Sequence, residues 1–538
     1  MFPAVSSEHM TPCVIHEDEH LLVVNKPAGM NTHSPSPYAG EGIFDWLRHR
    51  EPRWAGLAIM HRLDKETSGV IAFSKTGLAN RSLTDQFTRH AVQKKYLLLT
   101  DRTVRRGEFT VASTLIRAGQ KYISRPVHAG GERAETRFRL VNSSSGMATV
   151  EAEPVTGRTH QIRVHASASG FPILGDQVYG GSPAKRVCLH AAQIRFQHPS
   201  TGRKLTFEVP VDFSVDSRLA LLSTLVDSQA TNAYRLIHGA SDGWPGWYVD
   251  RFGDFLLSQS AAGLTEAQRG ALADWVKALS LNGAYHKVLT RHVRRTSIPD
   301  ASPLRVFGDA APDRFLIREN GVRVELGFSE GYSVGLFLDQ RDNRRRFLTN
   351  HVAGGFPLLT KGPDPAEVLN VFAYTCGFSV CAAKAGARTT SLDLSKKYLD
   401  WGRRNFVLND LDPAQHDFIY GDAFEWMRRL AMRQSKFDVI VLDPPTFSQS
   451  KKHGAFRAEN DYGELVEKAV PLLKSNGVLF ASTNTARLSS EKFLEQVAGA
   501  IRSAGRRIVR QHYAPQPADF PISRGEPAYL KTVWLKIA

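Results

Sequence analysis

The sequence predicts a multidomain protein in three parts: an N-terminal α+β domain on a mainly antiparallel sheet, a small central α/β module, and a C-terminal α/β domain on a parallel sheet. Three observations carry this. At 538 residues the chain is several times longer than a typical single domain. From Val14 to about Val215 short β-rich segments are separated by Gly, Pro and Ser, whereas after Asp364 strand-like and helix-like segments alternate regularly.

In the first part, 21–25, 69–73, 95–99 and 148–152 read as strands. The first domain is assigned to 1–218, and the helix-forming stretch 219–227 opens a linker over 219–229. The central module, 230–320, has a turn-rich start at 235–251 and an amphipathic helix over 265–279. The last domain, 321–538, begins with a hairpin from Val322. Its strands, 367–372, 389–394, 417–420, 437–442 and 478–483, alternate with helices 378–385, 396–408, 423–432, 461–473 and 491–504. Two late β segments, 507–512 and 530–536, close it as an antiparallel hairpin.

A formal net charge of +16 makes a polyanion the first partner to consider. Basic clusters recur at 102–106, 286–295 and 341–346, so the excess is grouped as nucleic-acid binding needs. The four cysteines form no CxxC pair and no zinc spacing, so no metal is expected and a reducing compartment fits. The N-terminus carries histidines and acids where a signal peptide needs an apolar core, and no run reaches the length of a membrane span. A cytoplasmic protein without membrane contact or obligate protein partner is expected.

His61-Arg-Leu-Asp-Lys-Glu-Thr-Ser-Gly69 sets Asp64 between Arg62 and Lys65 in a turn, which alone would favour a structural ion pair. A second polar cluster changes that. Along a strand, alternation in Gly157-Arg-Thr-His-Gln-Ile-Arg-Val-His165 would put Gln161, Arg163 and His165 on one face, and a buried carboxylate needs such a cation to stay ionised.

With Asn25-Lys-Pro-Ala-Gly29, the Lys95-Tyr96 step, Pro172-Ile-Leu-Gly-Asp176 and Leu189-His-Ala191, these segments resemble the RluA-type pseudouridine synthase family over nearly all of residues 14–212. The resemblance implies that Asp64 is the catalytic aspartate, Tyr96 the ring against the target base and Arg163 the partner of the aspartate. It also implies that Arg62 enters the space left by a flipped nucleotide, that Arg158 contacts RNA, and that no cofactor is used. The chemistry agrees, because isomerising uridine needs a carboxylate at the ribose while the detached base stays trapped. Asp64 can attack C1′ or take the C2′ proton. The small RNA-binding domain that often precedes this family's catalytic domain has too few residues ahead of Val14, which leaves target choice to the rest of the chain.

In the C-terminal part, Tyr374-Thr-Cys-Gly-Phe-Ser379 is a glycine-poor loop between the first strand and helix, and Asp393 ends the second strand. An acid there can accept from both ribose hydroxyls of a nucleoside, and the absence of GxGxxG favours S-adenosylmethionine over a dinucleotide. Asp422 follows the third strand, placed for adenine or for a helix N-cap. Asp443-Pro-Pro-Thr-Phe-Ser448 stands at the carboxyl end of the fourth strand, where open α/β sheets put their chemistry, and Phe447 can stack on a base.

From about Ala230 onward the chain resembles the class I RNA methyltransferases of the RlmI and RlmK type. Further matches are Gly335-Leu-Phe-Leu-Asp-Gln-Arg-Asp-Asn343, Leu394-Ser-Lys-Lys-Tyr398 and Arg404-Asn-Phe406. The resemblance implies a Rossmann-like, seven-stranded sheet, S-adenosylmethionine as methyl donor, and large-subunit (23S) ribosomal RNA as substrate. It makes Tyr374, Gly377, Asp393, Asp422, Asp339 and Arg341 cofactor residues and Asp443 catalytic. The family's PUA domain is replaced by the synthase-like part.

Methylating cytosine C5 requires a thiolate, and neither Asp443-Pro-Pro-Thr446 nor Ala481-Ser-Thr-Asn-Thr485 has a cysteine. Guanine N7 carries a free lone pair and needs no covalent step, so N7-methylguanosine is favoured over 5-methylcytidine. The expectation is a bifunctional RNA-modifying enzyme. The competing readings are transfer RNA as the synthase substrate and, from another class, one half serving as a non-catalytic RNA-binding module.

Overall fold

The computed structural model describes residues 11–105, 107–119, 121–289, 302–331, 333–360, 362–450 and 454–538. Arg106 and the 290–295 part of the basic cluster at 286–295 lie outside the described residues.

The N-terminal half is one mixed, mainly antiparallel sheet of eleven strands. Its path runs Val14–Glu17, Leu21–Lys26, Ser68–Ser74, Leu189–Gln197, Gln93–Thr100, Met147–Pro154, Glu132–Ser144, Glu108–Ala118 and Lys121–Arg125. Ala58–Ile59 pairs with Ser68–Ser74, and Lys204–Glu208 with Leu189–Gln197. Ser68–Ser74, which follows the loop that holds Asp64, is buried along its whole length and runs parallel to Leu189–Gln197. Gly69 makes that approach possible: its φ is +119, and a Cβ there would collide with the carbonyl oxygen of Ala191.

The segment holding Arg163 is a helix, Gln161–Ala168, where a strand was expected. Its polar–apolar alternation imitates a half-wet strand, yet Gln161 to Ala166 are all buried and each polar side chain is hydrogen-bonded inside the protein. Gln161 and His165, one turn apart, both bond Thr136, while Arg163 points elsewhere.

The helix expected in the linker spans Ser217–Leu225 and is packed: buried Arg218 donates to the carbonyl oxygens of Leu236, Arg235 and Asp519. The central strands pair in chain order from Ala233–His238 to Leu304–Gly308. The helix expected there is Glu266–Ala278, with Thr265 and Gln268 forming a capping box. The hairpin expected from Val322 pairs Phe315–Glu319 with Val322–Leu326, so it straddles residue 320. Ala233, Phe255 and Tyr285 share a core with Phe347, Phe378 and Trp534.

The C-terminal sheet has seven strands in the order Asp417–Tyr420, Arg388–Asp393, Glu367–Val371, Phe437–Leu442, Leu473–Thr483, Lys531–Ile537, Ile508–Tyr513. The first five are parallel and the last two antiparallel, as the alternation predicts. A second core covers its other face through Leu369, Ile440, Tyr462 and Val497. Sequence patterning gives no notice of the two-stranded flap Phe447–Ser450 and Gly454–Arg457 after Asp443.

Candidate active sites

Asp64 lies on the loop between Ala58–Ile59 and Ser68–Ser74, and neighbouring groups fix that loop. Thr32 Oγ1 donates to the Leu63 carbonyl at 2.8 Å and accepts the Leu63 N–H at 3.0 Å. Fully buried Lys26 donates Nζ to the carbonyl oxygens of Pro27, Met30 and Lys65. Burial pushes its ammonium down to about 7. His61 Nε2 accepts the Ala72 N–H, and its ring stacks on Phe87 at 5.0 Å. Burial holds His61 down to about 3, so it is neutral.

Arg163 binds Asp176 bidentately, Nε–Oδ2 2.7 Å and Nη2–Oδ1 2.8 Å, and turns Nη1 to Asp64 Oδ2 at 3.7 Å. One buried guanidinium therefore faces two carboxylates. Burial opposes its charge, but the bonds to Asp176 and the field of Asp64 outweigh that and raise its pKa. Tyr96, on Gln93–Thr100, is held above the ordinary phenol range by burial and by the charge of Asp64.

Arg62 is exposed, two residues before Asp64. Arg158 is exposed and tied to the next strand, donating Nε to the Arg133 carbonyl. Sequence reading gave no role to Lys26, Asp176 or Tyr179, although the first two sit in motifs it singled out. Tyr179 packs 5.1 Å from the Arg163 guanidinium and bonds His160 Nδ1 at 2.8 Å.

At the other site, a cleft of about 370 Å³ opens at the carboxyl ends of the parallel strands, in the usual size range for ligand pockets. Tyr374, Asp393, Asp422, Phe424 and Asp443 line it. The glycine-poor loop before it has an unusual backbone: Phe372, Tyr374 and Cys376 have φ of 62°, 49° and 65°. Such left-handed turns cost non-glycine residues about 1–2 kcal/mol each. Side chains hold them in place. Asp393 Oδ2 accepts the Tyr374 N–H at 2.8 Å, Thr375 Oγ1 donates to the Gly335 carbonyl, and Asn405 donates to the Thr375 carbonyl. Gly402 lets the helix Lys396–Leu408 seat against this loop, since a Cβ there would collide with Cys376 Sγ.

Asp393 Oδ1 accepts the Ser395 N–H at 2.8 Å, so both carboxylate oxygens are held by backbone donors. Burial raises its pKa. Asp422 lines the cleft and also caps the helix Ala423–Met432 by accepting the Glu425 N–H. Asp443 accepts from Gln340 Nε2 at 3.1 Å, and Gln340 also donates to Ser482 Oγ at 2.7 Å. Burial pushes Asp443 up to about 6, and its bonds to Ser482 and Gln340 counter that only in part. Buried Tyr462 braces the two strands beside it, donating to the Leu442 carbonyl and accepting the Ser482 N–H. Phe447 stands on the flap, 41% exposed.

The structure does not bring three expected cofactor residues to the cleft lining. Arg341 spends its guanidinium on Asp519 at 2.9 and 2.6 Å in a buried pair. Asp339 accepts from Tyr529 Oη at 2.9 Å under the same segment. Gly377 begins the helix Gly377–Lys384 against the Arg344 side chain. Gln340, between two of them in sequence, is the residue of that segment that reaches Asp443.

The cleft fits S-adenosylmethionine: Asp393 offers acceptors for the ribose hydroxyls, Asp422 and Phe424 an edge and a face for adenine, and the strand ends an open side for an acceptor base. No described helix is long and apolar enough to cross a membrane.

Residues 20–168 match the family model for RNA pseudouridylate synthases, and residues 235–532 that for S-adenosylmethionine-dependent methyltransferases. A ribosomal RNA large subunit methyltransferase of Deinococcus radiodurans is 34% identical over 337 residues, 61% of this chain and 78% of the relative. Ribosomal RNA large subunit methyltransferase I of Escherichia coli is 35% identical over 315 residues, 57% of this chain and 75% of the relative. A solved S-adenosylmethionine-dependent methyltransferase from Streptococcus mutans aligns with a TM-score of 0.50 at 26% identity, covering 64% of this chain and 87% of that one. The chain belongs to the S-adenosylmethionine-dependent methyltransferase family and carries an RNA pseudouridine synthase domain ahead of the methyltransferase.

Proposed function

We propose that the protein isomerises uridine through Asp64 and methylates guanine N7 at the Asp443 cleft, both in large-subunit (23S) ribosomal RNA. The observation that carries the two-site reading is the pairing of each carboxylate with its own built surroundings: Arg163 for Asp64, Gln340 and Ser482 for Asp443. Large-subunit ribosomal RNA as substrate is supported by the names of the relatives above.

In the synthase site the target uridine leaves its stack and packs on Tyr96, while exposed Arg62 fills the gap and neutralises phosphate. Arg163 pairs with the Asp64 carboxylate and aims it at the ribose. Bound S-adenosylmethionine supplies a methyl group on a sulfonium to a nucleophilic atom. Asp393 holds its ribose, Asp422 its adenine, and Tyr374 shapes the loop between them. Asp443 accepts N–H groups of the acceptor base, Phe447 stacks on that base, and Gln340 fixes the Asp443 carboxylate.

N7 as the acceptor atom is supported by the thiols. Cys376 and Cys381 are fully buried, and burial pushes each up to about 12, far from a thiolate. The segment Ala481–Thr485 at the strand end carries the hydroxyls of Ser482, Thr483 and Thr485 and no thiol. Cytosine C5 methylation has no thiolate to start from in these surroundings.

Mass mapping of ribosomal and transfer RNA from cells lacking the gene, complemented with wild type, Asp64→Ala or Asp443→Ala, tests the whole reading. Wild type restores one or more pseudouridines and one N7-methylguanosine in large-subunit RNA. Asp64→Ala restores only the methyl mark and Asp443→Ala only pseudouridine. Loss of 5-methylcytidine with N7-methylguanosine intact overturns the acceptor, loss confined to transfer RNA overturns the synthase substrate, and full restoration by either variant makes that half a binding module.

A further inference from the structure

One packed pair of helices joins the two catalytic loops. The helix Arg341–Thr349 starts at the methyltransferase site, directly after Gln340. Gln340 Oε1 accepts from Asn343 Nδ2 at 2.8 Å, and Asn343 Oδ1 accepts from Trp534 Nε1 at 3.0 Å. The Oε1 end of the Gln340 amide is therefore fixed by the first turn of this helix, and this orients Nε2, the donor to Asp443 and Ser482, so that donor moves with the helix.

The far end of the same helix rests on the synthase domain. Arg345 pairs with Glu51, which follows the helix Ile43–Arg50, and His351 Nε2 donates to the Arg48 carbonyl at 2.8 Å. The rings of His49 and His512 meet at 4.3 Å and those of Tyr38 and Tyr513 at 5.0 Å. The helix Ile43–Arg50 is tied in turn to Asn31 and Thr32 through the Ile43 and Phe44 N–H groups, and Thr32 clamps Leu63 beside Asp64. Glu41, His49 and His512 also lie within 4.8 Å of one another at this seam, but Arg346 Nη2 sits 3.4 Å from His512 Nε2, a cation where a metal ion would have to bind.

We propose that Gln340 is a positioning residue for Asp443, and that the Glu51–Arg345 contact sets its place, so that methyl transfer depends on docking of the synthase domain. The proposal rests on Asp443 being the group that holds the acceptor base. A helix of nine residues moves as one body, and a misplacement of about 1 Å at a reacting group can cost about 10²-fold in rate. The Glu51–Arg345 pair is half-buried and bridges the two domains, so reversing either charge leaves two like charges facing each other across the seam.

The test uses the full-length protein with S-adenosylmethionine and large-subunit ribosomal RNA from cells lacking the gene. Arg345→Glu and Glu51→Arg each lower methylation kcat by about tenfold or more. The KM for S-adenosylmethionine and pseudouridine formation are kept, which shows that both variants fold. The double charge swap restores kcat to within about threefold. Gln340→Leu, which removes the donor from Asp443, moves the acid limb of the methylation pH profile upward, whereas a merely structural loss scales the profile without shifting it. The other groups facing Asp443, namely Ser482, Asp339, Arg344 and Tyr462, keep their identity in that variant, and Ser482 loses only the bond it accepts from Gln340. Wild-type methylation in both single reversals, or a double swap no better than the singles, overturns the dependence on docking. An unshifted limb in Gln340→Leu overturns the positioning role. Asp443→Ala is run alongside: if it methylates normally, the reading of the site itself is at fault.

Discussion

Asp64 and Asp443 sit in two sites of one chain and are held by opposite means. A buried guanidinium, itself anchored bidentately on Asp176, faces Asp64, so a fixed cation beside that carboxylate is built into the fold. Asp443 faces a neutral amide and a hydroxyl, and burial pushes it up to about 6. The difference matches the work asked of each. A carboxylate that attacks carbon or takes a proton from it must be ionised ahead of time, while one that only holds N–H groups of a base can rest close to its titration point.

The largest break in the comparison is chemical. Asp64→Ala removes the group that acts at the ribose, and pseudouridine formation should fall by at least about 10⁴-fold with methylation unchanged. Single-turnover assays of both products on one RNA check it; equal losses in both activities would contradict separate sites.

Removing the partners of the carboxylates should separate the sites in stability as well. Arg163→Met leaves Asp176, 1% exposed, as an uncompensated buried charge and should cost about 3–5 kcal/mol in urea unfolding, along with synthase activity. Gln340→Leu leaves neutral or half-titrated acceptors and should cost about 1–3 kcal/mol. A smaller loss for Arg163→Met than for Gln340→Leu would mean that the ion pair does not carry the synthase site.

How far these arrangements were legible in the sequence follows from the same contrast. The C-terminal elements could be read almost residue by residue, because a sheet covered on both faces turns strands into apolar runs and helices into periodic ones: Lys396–Leu408, Asp417–Tyr420, Ala423–Met432 and Phe437–Leu442 stand where expected. The Gln161–Ala168 helix was misread because its polar residues are buried and hydrogen-bonded inside the protein, so alternation carried no information about a wet face. Arg341 was misplaced for a related reason. Its neighbour Gln340 reaches the site, while Arg341 meets Asp519, 178 residues away, a pairing that no local pattern announces. Asp176 was visible as part of a motif, but that it shares the Arg163 guanidinium with Asp64 depends on a fold that brings the two loops together.

The smallest effect concerns Asp443 itself. A carboxyl raised from 3.8 to about 6 binds its proton more tightly in the folded chain than in the unfolded one between those pH values. Its contribution to stability is thus present in acid and lost as the pH rises through that window, the reverse of an ordinary paired aspartate. At neutral pH the charge should cost about 1–3 kcal/mol, the partial exposure of the side chain keeping it below the full value for the shift. Asp443→Asn keeps the shape and removes the charge, so it should stabilise the protein by that amount at pH 7 and by little at pH 4. It should also abolish the loss of methylation that the wild type shows as Asp443 is protonated below about 6. Thermal unfolding at the two pH values, read beside the methylation pH profile, tests both. A variant no more stable than wild type at pH 7 would mean that the methyltransferase site holds its carboxylate without strain, and the contrast with Asp64 would then lie in chemistry alone.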